Sequence, residues 1–297
     1  MKTLTALLFG FTSLSILAAS PDTFFGQSIP DQTPQVFAPG TVSTNNWEMN
    51  GAFSQDMTTY YFVREVEIAK SMTQQFVALS YENNQLKTRV ISPRVGHPFV
   101  SPDGNTLHLG KRFMQKTANG WSTIKSLNSD FDSYRIMSLT ASLNGTYAFD
   151  DASKGADGLL YYSKLHDGQR QRPMPFPDVI NTGQYNAHPF IAPDESYIIW
   201  DGQRNSDVRN ANLFISFKQA DGTWGRAIEM GPDINTPAAE FGAKVTPDGK
   251  YLFFSRNQGN FEWVNHKGEI EEIPNIDIFW VDAVVIQNLK AQSTIRQ

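Results

Sequence analysis

The sequence predicts an all-β protein built from five copies of one antiparallel sheet. Three observations carry this prediction: a turn motif that recurs five times, an aromatic-rich strand after most copies, and a composition rich in turn-forming residues. The chain has 297 residues with 21 Gly and 16 Pro, and only 19% of them are charged. This composition is typical of a turn-rich β protein and argues against a disordered chain or a coiled coil.

The recurring motif is a tight turn between two strands. At Asp103 and Asp248 it reads Ser-Pro-Asp-Gly and Thr-Pro-Asp-Gly. Pro presets the first corner, Asp bonds to its own backbone, and Gly accepts the left-handed conformation that closes the turn. The Asp or Asn of each copy serves as its anchor, and successive anchors lie 41 to 54 residues apart, which suits four-stranded sheets. The anchors are Asp56, Asp103, Asn144, Asp194 and Asp248.

Apolar segments after each anchor predict the other strands of the unit. The second strands are expected at 60–63, 107–109, 147–149, 197–200 and 251–254. A fourth strand is expected most clearly at 176–182 and at 231–236, two segments with similar sequences. The motif is altered where Leu143-Asn144 replaces Pro-Asp in the third copy and where Glu195 replaces Gly in the fourth. We expect those turns to differ in type.

The two ends of the chain predict how the repeats close. Residues 34–44 look like a fourth strand without the three that should precede it, whereas the last unit ends near Asp282 without a fourth strand. Pairing these ends would leave no free sheet edge. The predicted fold is therefore a five-bladed β-propeller of four-stranded antiparallel blades, closed by the N-terminal strand near 36–42.

The strand, Pro-Asp turn and aromatic strand resemble the WD40-like Pro-Asp repeats of the TolB-type propellers. The resemblance covers about residues 34–282. It implies a propeller fold and an exported protein. It is weak for function, because members of this group include scaffold domains, peptidase-associated propellers and oligogalacturonate lyases.

The first twenty residues predict a secretory signal peptide. Lys2 gives a positive start, residues 4–17 are mostly apolar, and Ala18-Ala19-Ser20 offers small residues for cleavage. A membrane anchor is the alternative, but the apolar run is shorter than a membrane span needs. We expect residues 21–297 to form a single propeller domain in the periplasm or outside the cell, as a monomer without a membrane span. The chain has no Cys, which excludes disulfides and thiol chemistry.

Two glutamates occupy the same place in different repeats. Glu48 and Glu240 each lie eight residues before an anchor, in the first and fifth units, which are neighbours in a closed ring. One interpretation is a carboxylate pair for glycoside hydrolysis. The other is a structural slot of the repeat, in which each carboxylate bonds backbone amides where the strand begins.

Two histidines also share a position. His97 and His188 each lie six residues before an anchor and are each followed by Pro-Phe. Imidazole and carboxylate groups suit a divalent metal ion, and the arrangement resembles the His-containing metal site of oligogalacturonate lyases. The alternative is a structural or ligand-contacting role without metal. No cofactor is otherwise expected, and the acidic loop 150–158 lacks the spacing of a calcium hand.

A further ring of charged side chains is expected just after the second strands. Its members are Arg64, Lys111, Arg204 and Arg256, with Asp151 in the third unit. These residues either bind an anionic sugar or a peptide carboxylate, or form ion pairs between blades with the glutamates. Aromatic residues that offer stacking surfaces for sugars, or else belong to the core, are Trp47, Tyr185, Phe261 and Trp263.

These observations favour an exported binding or scaffold protein. The net charge of −5 gives no basic surface for a nucleic acid, and the chain contains no nucleophile elbow, phosphate loop or His-Glu-x-x-His motif. The expected ligand is a protein, a peptide or a glycan at the mouth of the channel. The competing hypothesis is a saccharide-active hydrolase or lyase that uses Glu48, Glu240, His97 and His188.

Overall fold

A computed structural model describes residues 23–203, 211–265 and 267–295 and confirms the all-β class. The predicted signal peptide and Arg204 lie outside the described residues. One α-helix, α1 (Val284–Ile295), and two 3-10 helices, Ser129–Phe131 and Ala152–Asp157, accompany the strands in these ranges. None of the described helices is long and apolar enough to cross a membrane.

The described chain begins with three short strands. β1 (Thr23–Phe24) and β2 (Gln27–Ser28) form a hairpin. β3 (Gln35–Val36) follows, and Phe37 comes directly after it. The partner of β3 lies at the other end of the chain, as described below for the fifth sheet.

The first two sheets are antiparallel and follow the chain order. The first consists of β4 (Trp47–Phe53), β5 (Thr59–Ile68), β6 (Ser71–Glu82) and β7 (Gln85–Pro93). The second consists of β8 (Pro98–Val100), β9 (Thr106–Leu109), β10 (Arg112–Thr117), β11 (Gly120–Trp121) and β12 (Lys125–Ser126), the last two both pairing with β10.

The third and fourth sheets repeat the arrangement with four strands each. The third pairs β13 (Leu139–Ala141), β14 (Tyr147–Asp150), β15 (Leu160–Ser163) and β18 (Met174–Pro175), and the hairpin of β16 (Leu165–His166) and β17 (Gln169–Arg170) lies between the last two in sequence. The fourth pairs β19 (Gln184–Ile191), β20 (Tyr197–Gln203), β21 (Asn212–Phe217) and β22 (Ile228–Glu229).

The fifth sheet joins the two ends of the chain. It consists of β23 (Glu240–Val245), β24 (Tyr251–Val264) and β25 (Ile270–Asp282). β3 pairs antiparallel with β25, with Val36 opposite Phe279. A single parallel pair, Ile276 with Trp47, also connects β25 to β4 of the first sheet. The N-terminal segment therefore pairs with the last sheet, at the edge where the sequence predicts no fourth strand from the last repeat.

The first strands of the five sheets contact one another in cyclic order. β4 contacts β8, β8 contacts β13, β13 contacts β19, β19 contacts β23, and β23 contacts β4 again. We use the term central channel for the space that these five strands surround. The strand-start mouth is its end where they begin, and the turn end is the end where they run into the anchor turns.

Apolar side chains between the sheets provide the core. The N-terminal segment contributes Phe37, which is fully buried against the rings of Tyr60, Phe253 and Trp280. Burying an aromatic side chain of this size stabilises the fold by about 2 to 3 kcal/mol. The core thus ties the beginning of the chain to its first and last sheets.

A turn forms at each of the five anchors, but the expectation that the third and fourth turns differ in type is wrong. The residue after the anchor takes a left-handed φ of 59° to 76° in every copy. The side chain of Asp56 accepts hydrogen bonds from the Thr58 N–H and the Ser54 hydroxyl, and the other Asp anchors bond their own turns in the same way. Glu195 takes the left-handed conformation of the missing Gly, with φ of 62°. Its carboxylate accepts a hydrogen bond from the Ser142 hydroxyl of the third sheet, 2.8 Å away.

Candidate functional site in the central channel

Glu48 and Glu240 have nearly identical surroundings. One oxygen of Glu48 accepts a hydrogen bond from the hydroxyl of Thr44 at 2.6 Å and the other from its N–H at 3.1 Å. Thr236 bonds Glu240 with the same two distances. Both carboxylates are buried, and each fixes the loop that leads into its own first strand. This geometry matches the structural slot that was one of the two interpretations.

The two glutamates differ in their charged neighbours. Arg256 donates from Nε to Glu240 Oε1 at 2.9 Å, and its Nη2 donates to the carbonyl of Ile234. Arg64 lies opposite Glu48 in the strand pairing, but its Nε donates to Gln75. Burial raises the pKa of Glu240, and it raises that of Glu48 to about 7. Each carboxylate is thus held by the loop that precedes its own strand.

Two further members of the predicted charged ring, Lys111 and Asp151, bond groups of nearby loops. Lys111 donates from Nζ to the carbonyl of Asp132, and Asp151 accepts hydrogen bonds from the N–H groups of Arg135 and Ser153. Among the described residues, no group of three or more His, Cys, Asp or Glu side chains is arranged to hold a metal ion.

The structure brings His97 and His188 together in the channel, with ring centroids 4.9 Å apart. His188 Nδ1 lies 3.0 Å from Asp201 Oδ1, and His97 Nε2 lies 2.8 Å from Nη2 of Arg94. One imidazole therefore faces a carboxylate and the other a guanidinium.

The histidine position continues around the channel. The residues six before each anchor are Asn50, His97, Ser138, His188 and Gly242, and we call them the channel ring. Three of these, Asn50, His188 and Gly242, have left-handed φ values of 50°, 47° and 67°, and each lies where the strand pairing shifts register. Such a bulge re-aims the side chain and the N–H.

The re-aimed N–H groups connect neighbouring sheets. Each donates to a side chain on the second strand of the sheet before it in the ring. The bonds run from His188 to Asp150, from Gly242 to Asp201, and from Asn50 to the hydroxyl of Ser255, at 2.9 to 3.1 Å. Three members of the channel ring thus have the same structural role, which is to bond one sheet to the sheet before it.

Buried acidic and basic side chains in the channel shift one another's pKa values. Burial raises the pKa of Asp150, although His188 and three backbone N–H donors act against this. Burial also opposes the charged form of His188, but the carboxylates of Asp201 and Asp150 hold its pKa above the ordinary value. For His97, burial and the neighbouring cations lower the pKa well below the ordinary value. Of the two imidazoles, His188 therefore holds a proton more readily than His97.

Lys244 completes the charge distribution. It lies two residues after Gly242 and is 3% exposed. Burial lowers its pKa to about 8, although Asp201 and Asp150 favour its charge. Within the described residues its Nζ has no hydrogen-bond partner, and the same holds for Asn50 Nδ2 and Oδ1, His97 Nδ1 and Ser138 Oγ. Among the described residues, Lys244 and three members of the channel ring thus have buried polar atoms that make no hydrogen bond.

The sequence interpretation missed Asn50, Ser138, Lys244 and the two aspartates. The signal for the channel ring was present, because the alignment on the anchors that selected His97 and His188 gives Asn50, Ser138 and Gly242 in the other repeats. Lys244 has no counterpart of its kind, since the other repeats have Ala52, Phe99, Thr140 and Phe190 four residues before the anchor. Its role was visible only when the five strands were placed around one axis.

The strand-start mouth carries aromatic and arginine side chains at one repeat position. The residues nine before each anchor are Trp47, Arg94, Arg135, Tyr185 and Ala239. Tyr185 is half exposed and Arg135 is exposed, whereas Trp47 and Arg94 are partly covered. The side chains of Phe261 and Trp263 lie outside the described residues. Two aromatic and two arginine residues therefore occupy this one repeat position.

Comparison with known proteins identifies no family. No family model matches the chain, and no curated protein matches it. Similar solved structures include the catalytic domain of a GH62 α-L-arabinofuranosidase from Coprinopsis cinerea, with 8% identity and a TM-score of 0.48 over 84% of this chain and 97% of that one. Another is Sqt1 from Chaetomium thermophilum bound to the N-terminus of ribosomal protein L10, with 12% identity and a TM-score of 0.39 over 82% and 68%.

Proposed function

We propose that the chain is an exported five-bladed β-propeller, closed by its N-terminal strand, that binds a ligand at the strand-start mouth and does not cleave it. The cyclic contacts of β4, β8, β13, β19 and β23 support five blades. The pairing of Val36 with Phe279 supports closure by β3. Membership of the TolB-type family, cleavage after residue 20 and a monomeric state belong to the same proposal.

The observation that carries binding over catalysis is the engagement of Glu48 and Glu240. A general acid or nucleophile must reach the scissile bond. Here each carboxylate bonds its own threonine, and Glu240 also bonds Arg256. Using either for catalysis would break the contacts that hold the start of a blade.

The mouth fits a glycan or peptide that carries negative charge. Trp47 and Tyr185 present rings on which a sugar or an aromatic side chain stacks. Arg135 supplies an exposed guanidinium group, which binds carboxylates through paired donors. Of the protein, peptide and glycan ligands, an acidic glycan uses both features best.

A binding screen tests this proposal. The purified protein is applied to arrays of acidic and neutral glycans and of peptides, and the hits are measured by calorimetry. We expect Tyr185→Ala and Arg135→Ala to weaken binding about tenfold each, whereas Tyr81→Ala, a partly exposed tyrosine near the N-terminal hairpin, should leave it unchanged. A site at this mouth would be contradicted if only Tyr81→Ala lost binding, or if none of the three variants did.

A saccharide-active hydrolase or lyase remains the second candidate, and one observation favours it. The pKa of Glu48, raised to about 7, is that of a group able to donate a proton at neutral pH. Incubating each bound glycan with the protein and analysing the products by mass spectrometry separates the two functions. Cleavage that disappears in Glu48→Gln would establish the enzyme, and recovery of intact glycan supports binding alone.

A further inference from the structure

A cavity lies at the turn end of the channel. It has a volume of about 150 Å³ and is lined by residues of all five repeats. Phe53, Phe99 and Phe190 form much of its wall. Leu143 stands at its rim and is 65% exposed, so the cavity opens to solvent between the anchor turns.

Four polar side chains, Gln55, Tyr60, Lys244 and Thr246, interrupt this apolar lining, and two of them matter for binding. Lys244 and Tyr60 both line the cavity and both are buried. Lys244 Nζ and Tyr60 Oη have no hydrogen-bond partner among the described residues. Gly51 allows the phenol to lie at the wall, because a Cβ at this position would overlap its hydroxyl group. Burial raises the pKa of Tyr60, which keeps the phenol protonated and able to donate.

The carboxylates nearest to Lys244 are committed to other donors. Asp150 accepts from the N–H groups of Met137, Ser138 and His188. Asp201 accepts from Gly242 N–H and faces His188. They lend Lys244 electrostatic support without forming a hydrogen bond to it. An ammonium group buried in this way is costly unless an acceptor reaches it.

We propose that this cavity binds a small monocarboxylate with a compact apolar body. The carboxylate accepts hydrogen bonds from Lys244 Nζ and Tyr60 Oη, and the apolar body lies between the phenylalanine rings. Charge-assisted hydrogen bonds of this kind are roughly twice as strong as neutral ones. The cavity has room for about one six-membered ring, since an engineered cavity of ~150 Å³ in another protein holds benzene.

This site is separate from the strand-start mouth. A ligand at the turn end neither needs Trp47, Tyr185 and Arg135 nor covers them. Either proposal therefore stands or fails without the other, and Tyr185→Ala should leave carboxylate binding unchanged.

Calorimetry with matched probes tests the proposal. Benzoate and butyrate are titrated into the purified protein alongside benzamide and butyramide, which have similar shapes and no charge. We expect both carboxylates to bind and each amide to bind at least about tenfold more weakly. Equal affinity for acid and amide, or no binding of either carboxylate, would overturn the proposal.

Three variants locate the site. Lys244→Met should weaken benzoate binding at least about tenfold, and Lys250→Met, at an exposed lysine of the same repeat, should not change it. Leu143→Trp adds bulk at the exposed rim, where folding is not at risk, and should block entry. Unchanged affinity in both Lys244→Met and Leu143→Trp would show that benzoate binds elsewhere.

Discussion

The carboxylate of Asp201 accepts a hydrogen bond from the backbone N–H of Gly242, 2.9 Å away, and so links the fourth sheet to the fifth. The same oxygen lies 3.0 Å from Nδ1 of His188. One buried aspartate therefore holds two members of the channel ring. Because Asp150 and Ser255 make corresponding bonds, the junctions between these sheets depend on side chains of the second strands.

Asp201→Asn should destabilise the fold by about 1 to 3 kcal/mol. Asn retains an oxygen for Gly242 but loses the charge that raises the pKa of His188. In the native protein, the contribution of His188 is complete below its unfolded pKa of about 6.5 and is lost as pH rises through the higher folded value. Urea unfolding curves of the variant should lack this loss of stability as pH rises above about 6.5, whereas the exposed control Asp167→Asn should keep it.

Lys244→Met should remove a rise of stability at alkaline pH. The pKa of Lys244 is lowered from 10.5 to about 8, so the unfolded chain binds the additional proton between these values and stability increases with pH there. The shift corresponds to roughly 3 kcal/mol. Unfolding free energies at pH 7 and 10 should therefore differ less in Lys244→Met than in the native protein. An unaltered difference, or one that Lys250→Met also removes, would refute the assignment.

Glu48→Gln should flatten the dependence of stability on pH between 4.5 and 7. The folded pKa of Glu48 is raised to about 7, so its contribution is complete below pH 4.5 and is lost as pH rises through 7. Chemical denaturation at pH 4.5, 5.5 and 7 measures the slope. Glu82→Gln, at an exposed site, serves as the control. A slope that persists in Glu48→Gln would assign the titration to another group.

Phe37→Ala should destabilise the whole domain by about 3 to 5 kcal/mol. The ring is fully buried between the first and last sheets, directly after the β3 pairing. Deletion of residues 21–44 should have a larger effect, because it removes β3 and Thr44, the partner of Glu48. Thermal melting measures both changes, and Leu165→Ala is an exposed control. A truncated chain that melts like the intact protein would rule out closure by the N-terminal strand.

The repeat pattern was sufficient to predict the second strands and the anchor turns, because these depend on local chemistry. It was wrong for the fourth strands expected at 176–182 and 231–236, because the strands are Met174–Pro175 and Ile228–Glu229 and the chain turns shortly after each. Asp anchors bond their own backbone and Gly takes left-handed φ values whatever surrounds them. Glu195 shows the limit of this reasoning: it adopts the conformation of the missing Gly, held by Ser142 from another sheet. The residues near Glu195 in the sequence do not predict this hydrogen bond to Ser142.

The sequence by itself determined the all-β class, the turn at each anchor and the equivalence of Glu48 with Glu240 and of His97 with His188, since all of these follow from residue type and spacing. The tertiary structure alone decided what those equivalent positions do. It gave each glutamate a threonine of its own loop, and it placed Lys244 among side chains distant in the sequence. Burial and charge at the axis depend on five strands meeting there, and the spacing along one strand does not contain that information.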